Sequence, residues 1–133
     1  MKPLLIAHIF GLLTCLPLLV QAGDISNISQ QQLLSLQHAA KAPAYIVLDV
    51  RSAEEFKAGH IQGALNISHN NIEQHLAKLA GYKDKTVIVH CRSGRRAQIA
   101  EEILQENGFT QLKHLTGDYN GWHEANLPLV KEK

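Results

Sequence analysis

Apolar and polar positions fall along this chain in two alternating patterns. Tyr45 to Asp49 and Thr86 to His90 are short runs of β-formers with consecutive apolar residues, as in strands buried on both faces of a parallel sheet. Ile25 to Ile28, Ala64 to Ile67 and Leu112 to Leu115 read as further strands. Between them the apolar spacing lengthens to that of helices. Ser29 caps a helix running to about His38, with Gln32 as its capping-box partner, and Lys41-Ala42-Pro43 breaks it. Ser52 and Glu55 repeat that signature for a short helix through Ala58, ended by Gly59. Asn70 to Leu79 predicts a helix with Ile72, Leu76 and Leu79 on one face, followed by a turn from Gly81 to Lys85. Arg96 to Asn107 predicts another, burying Ala100, Ile103 and Leu104, with Gly108 just past its end. Gly117 to Ala125 holds a loop and a short helix. Strands alternating with helices imply an α/β domain: a mostly parallel central sheet with helices on both faces, three layers in all.

The first residues follow a different pattern. Lys2 is followed by Leu4 to Val20, apolar except at His8, Thr14 and Pro17, and Val20-Gln21-Ala22 has small residues at the two positions a signal peptidase reads. Residues 1–22 are expected to be a cleaved export signal, and residues 23–133 the mature domain, periplasmic in a cell with two membranes. An uncleaved anchor is the alternative, although the run is short of the roughly 20 residues a span requires. A lipoprotein reading through Cys15 meets a bulky Thr14 just before it. Loss of Lys2 removes the one excess positive charge of the +1 chain. A neutral domain has no global attraction to nucleic acid, and none to a membrane surface after cleavage. Cys91 is then the only cysteine left, in a compartment where cysteines normally pair.

Cys91 directly follows the Thr86 to His90 strand, and parallel sheets bind ligands beyond the carboxyl ends of their strands. The residues after it are Arg92, Ser93, Gly94, Arg95 and Arg96, at the start of a helix. Unpartnered N–H groups there can converge into an anion nest, and the helix dipole adds up to about 2 kcal/mol in a partly buried site. Three arginines add full charges, and all of these terms favour thiolate over thiol. Gly94 permits the positive φ of a tight loop. The alternative is an inert core thiol, for which this basic loop is a poor environment.

With these motifs the chain resembles the rhodanese family from about Ile25 to Leu129. Cys91 to Arg96 is similar to the family's six-residue active loop, with the persulfide-bearing cysteine first. Leu48 to Arg51 with Glu55 and Phe56, Gly59 to Ile67, and Leu115 to Gly117 with Trp122 resemble three further family markers. Gln62 stands where the second of these usually has proline, and Asp118 where the last has another glycine. An acid at 118 either repels an anionic donor or points to solvent.

The resemblance implies a sulfurtransferase. Cys91 takes sulfane sulfur from a donor such as thiosulfate and passes it to cyanide, a thiol or a thioredoxin-like protein. Loop amides hold the persulfide anion, Arg92 and Arg95 face solvent, and Arg96 sits at the loop-to-helix junction. Asp49 and Arg51 are expected to pair and order the sheet edge, Glu55 to serve as a helix-cap partner, His60 to order its loop, and Trp122 to plug the core. His90, next to Cys91 on a strand, points to the opposite face. No metal or other cofactor is expected, and the domain is expected to be a monomer. Two other readings stay open. One is a non-catalytic module that binds sulfane sulfur or a protein partner. The other is a phosphatase or arsenate reductase, whose known loops have one more residue between cysteine and arginine.

Overall fold

The computed structural model describes residues 24–41 and 44–133. The expected leader over residues 1–22 and the break at Ala42 and Pro43 lie outside the described residues. The strands are β1 (Ser26–Ile28), β2 (Tyr45–Asp49), β3 (Leu65–Asn66), β4 (Thr86–His90) and β5 (Leu112–Leu115). They form one sheet in the order β1-β5-β4-β2-β3, with every neighbouring pair parallel. The α-helices are α1 (Gln30–His38), α2 (Ala53–Ala58), α3 (Leu76–Leu79), α4 (Arg95–Glu106) and α5 (Asp118–Glu124).

The sheet's pleat sorts its apolar residues between two cores. Leu48, Val87, Val89 and Leu112 face one side, where Ala97, Ala100 and Leu104 of α4 and Ile72 and Leu79 complete the packing. Val47, Ile88, Ile28 and Leu115 face the other, with Leu33 of α1, Ile61 and Trp122 of α5. Trp122 is the core plug expected, and its indole N–H donates to Pro128 O at 2.9 Å. Ser29 and Gln32 form the complete reciprocal capping box that starts α1. Gly108, at φ 89°, follows the end of α4.

Four elements differ from expectation, β1 only in starting at Ser26 rather than Ile25. Asn70 to Leu79 is not one helix but the 3₁₀ turns His69–Asn71 and Glu73–His75 followed by the single α-turn of α3, with a further 3₁₀ turn at Ala80–Tyr82. The His75 ring explains part of this. Its Nδ1 bonds Asn71 O at 2.8 Å, occupying the carbonyl that the His75 amide needs in an α-helix, and that amide turns to Ile72 O at 3.0 Å. β3 is shorter than Ala64 to Ile67, because Ala64 N–H turns back to Ile61 O. α4 starts one residue early, at Arg95, and ends at Glu106 with Asn107 as its cap.

This topology brings the ends of four parallel strands to one rim: Asp49 with Arg51, Asn66, Cys91, and the Gly117–Asp118 turn.

Candidate active site

Cys91 leaves β4 between an apolar and a polar environment. It belongs to the core shared by Val89, Ala97 and Ala100, and only 1 % of it is exposed. On its polar side, Gly94 N–H donates to Cys91 Sγ at 3.0 Å. That contact depends on the tight turn at Gly94, which has φ 119°, a conformation L side chains rarely adopt. Arg92 and Arg95 are exposed, as expected, and so is Ser93, while Arg96 is half-buried at the start of α4.

Arg96 is the loop arginine whose charge reaches the sulfur. Its guanidinium forks onto Glu55, Nη1 to Oε1 at 2.8 Å and Nη2 to Oε2 at 3.0 Å. Those hydrogen bonds raise its pKa, with smaller contributions from the charge of Cys91 and a hydrogen bond to it. The Arg96 bond holds Glu55 down at about 2, against the opposing effect of burial. Glu55 therefore corrects the expectation of a reciprocal cap. Its backbone N–H does donate to Ser52 Oγ at 3.2 Å, but its carboxylate bridges α2 to the loop instead.

Asp49 and Arg51 pair as expected, and both are almost wholly buried. Arg51 Nη2 lies 2.7 Å from Asp49 Oδ2, Nε donates to Oδ1 at 3.0 Å, and Nη2 also donates to Gly59 O at 2.8 Å. The pair ends β2, which lies next to the edge strand β3 rather than at the edge. Asn66 of β3 ties in by donating to the carbonyls of Asp49 and Arg51. The Arg51 guanidinium stacks 3.9 Å from the Tyr119 ring centroid. With Glu55, Arg92, Asn120 and His123, these residues line a cavity of about 310 Å³ beside the loop.

His90 does not reach the sulfur. Its Nδ1 donates to Cys91 O at 3.0 Å, and its Nε2 lies 3.6 Å from Asp49 Oδ2 without a hydrogen bond. Burial lowers its pKa despite the nearby Asp49 charge, so the ring is neutral. His60 orders its loop through Phe56 O, which its Nδ1 meets at 2.9 Å, and through paired backbone bonds with Val130.

Asp118 corrects the expectation that an acid there points to solvent. It faces inward, and both its carboxylate oxygens are bonded. It is buried at 4 % exposure with φ 52°, and its Oδ1 accepts Cys91 N–H at 3.0 Å. Its Oδ2 lies 3.0 Å from His114 Nε2, and His114 Nδ1 lies 2.6 Å from Glu101 Oε1. Burial pushes the Asp118 carboxyl up, but the bonds from His114 and the Cys91 amide hold it below its usual value. The two carboxylates raise His114 to about 10, against burial. The sequence reading missed Glu101 and His114. The available signal was the strand alternation that puts His114 on the face of Leu112, toward α4.

Comparisons with known proteins agree with this fold. The rhodanese-like domain model matches residues 29–125. The thiosulfate sulfurtransferase GlpE of Shewanella oneidensis is 31 % identical over 104 residues, covering 78 % of this chain and 98 % of that one. The thiosulfate sulfurtransferase PspE of Escherichia coli is 34 % identical over 84 residues, covering 63 % of this chain and 77 % of that one. A rhodanese-related protein of Thermoplasma volcanium superposes with TM-score 0.69 at 29 % identity, over 80 % of this chain and 99 % of that one. With the strand-end cysteine, its loop and a five-stranded parallel sheet, the chain belongs to the rhodanese-like family.

Proposed function

We propose that the protein is a sulfurtransferase that carries sulfane sulfur as a persulfide on Cys91. The observation that carries this reading is the Gly94 N–H donated to Cys91 Sγ at 3.0 Å, beside the Arg96 guanidinium. A fixed amide dipole and a full positive charge favour a charged sulfur over a neutral one. Their effect is strong in a site that excludes water.

Two exchanges follow. In the first, Cys91 Sγ⁻ attacks the outer sulfur of thiosulfate. The S–S bond of the donor breaks, sulfite leaves with the electron pair, and Cys91 Sγ–S⁻ remains. In the second, cyanide attacks the terminal sulfur, thiocyanate leaves, and the Cys91 thiolate is restored. A thiol acceptor gives a new persulfide in the same way. No proton transfer is required once the thiolate exists, so a neutral His90 that never meets the sulfur is compatible with the chemistry. The exposed Arg92 and Arg95 attract an anionic donor to the rim. The near-complete enclosure of Cys91 favours a small one. The similarity to two proteins named thiosulfate sulfurtransferase, GlpE and PspE, supports the same reaction class.

Steady-state thiocyanate formation tests this reading. Thiosulfate varied at several fixed cyanide concentrations is expected to give parallel double-reciprocal lines, the signature of a covalent ping-pong intermediate. Intersecting lines require donor and acceptor to be bound together and contradict a persulfide step.

A further inference from the structure

We propose that Glu101, His114 and Asp118 form a positioning relay for the sulfur-bearing loop, in which His114 anchors and offsets the Asp118 carboxylate that clamps the Cys91 amide. The proposal deepens the sulfurtransferase reading and rests on it for its consequence in turnover.

The four groups stand in line. Glu101 Oε1 meets His114 Nδ1 at 2.6 Å, His114 Nε2 meets Asp118 Oδ2 at 3.0 Å, and Asp118 Oδ1 accepts Cys91 N–H at 3.0 Å. Counting donors fixes the protonation of the ring. A carboxylate offers only acceptors, and each ring nitrogen faces one, so both nitrogens must carry hydrogen. The ring is an imidazolium between two buried acids, each about 4 % exposed. Its raised pKa agrees with this.

Asp118 bonds one end of the loop and closes the space beside the other. It bonds the Cys91 amide, and its Oδ2 lies 3.3 Å from where a Cβ on Gly94 would stand. Gly94 is the residue whose amide reaches the sulfur. The backbone around Asp118 adds two more ties, Tyr119 N–H to Cys91 O at 3.0 Å and Asn120 N–H to Arg92 O at 3.1 Å. Asp118 can hold its left-handed φ of 52° because a short polar side chain tolerates that region. Glycine at 118 satisfies the same backbone but loses the clamp. The clamp carries an electrostatic liability, since an uncompensated carboxylate under the loop opposes negative charge on the sulfur. The imidazolium, 3.0 Å from Asp118 Oδ2, offsets it. His114 is thus a positioning residue, acting on the sulfur through Asp118.

The test uses the rate of Cys91 alkylation by iodoacetamide at neutral pH, which needs no sulfur donor, beside kcat/KM for thiosulfate. His114→Gln is expected to slow both by about tenfold, because Asp118 is left uncompensated. Adding Asp118→Asn keeps an oxygen for the Cys91 amide and removes the charge, so the double variant is expected within about threefold of the unaltered protein. In the unaltered protein, ¹⁵N shifts should show both His114 nitrogens protonated at mildly alkaline pH. Equal slowing in the single and double variants, or no slowing in His114→Gln, overturns the relay. If alkylation follows the expected pattern while no variant turns over thiosulfate, the relay stands and the sulfurtransferase reading fails.

Discussion

Replacing Cys91 by alanine is expected to reduce thiocyanate formation from thiosulfate and cyanide to the uncatalysed rate, while the domain still folds. The loop has no second group that can take over. His90 is neutral and bonded to a backbone carbonyl. Ser93 is exposed, and Cys91 is the free cysteine of the described residues. Removing one buried sulfur atom costs about 1–2 kcal/mol, which a domain of this size tolerates. Serine is expected to be inactive too. Its hydroxyl can accept the Gly94 amide, but it is not ionised at neutral pH and does not form a stable sulfur adduct. Circular dichroism melting beside the thiocyanate assay separates lost chemistry from lost folding. Appreciable turnover by folded Cys91→Ala places the reaction elsewhere.

The second large effect is structural. Arg51→Met is expected to destabilise the fold by about 3–5 kcal/mol, lowering the melting temperature by on the order of 15 °C. Methionine fills a similar length but leaves Asp49 buried without its counter-charge and Gly59 O without its donor. Most of the loss arises from that stranded charge, so Asp49→Asn combined with Arg51→Met is expected to recover more than half of it. Urea denaturation of the two variants measures the difference. A cost below about 1 kcal/mol for Arg51→Met means the pair contributes little to stability.

Much of this architecture was legible because it is local. β2, β4 and β5 span the residues their apolar runs marked, and α1 begins and ends at its cap and at His38. A strand buried on both faces, or a serine followed three residues later by glutamine, states its structure without reference to distant residues. The loop after β4 was legible for the same reason: cysteine, glycine and arginines are adjacent in the chain. What stayed hidden depends on elements meeting in space. Glu55 and Arg96 are 41 residues apart, and nothing in the Ser52–Glu55 signature shows that the carboxylate leaves the cap for α4. Glu101, His114 and Asp118 lie on a helix, a strand and the first position of a second helix, in an order that suggests no motif. The broken helix after β3 shows a local competition the apolar spacing conceals, with a histidine ring taking the carbonyl its own amide needed. At 118 the family pattern marked an acid in place of a usual glycine, but not that this acid would bond the Cys91 amide.

The central claim is that the Cys91 sulfur, held by the Gly94 amide, stores one sulfur atom. Intact-mass spectrometry of the protein after incubation with thiosulfate and removal of excess donor tests it directly. The expected spectrum gains the mass of a single sulfur atom, located to Cys91 by peptide mapping and lost on adding cyanide. A protein that turns over thiosulfate yet never gains that mass, or gains it on another residue, contradicts the account.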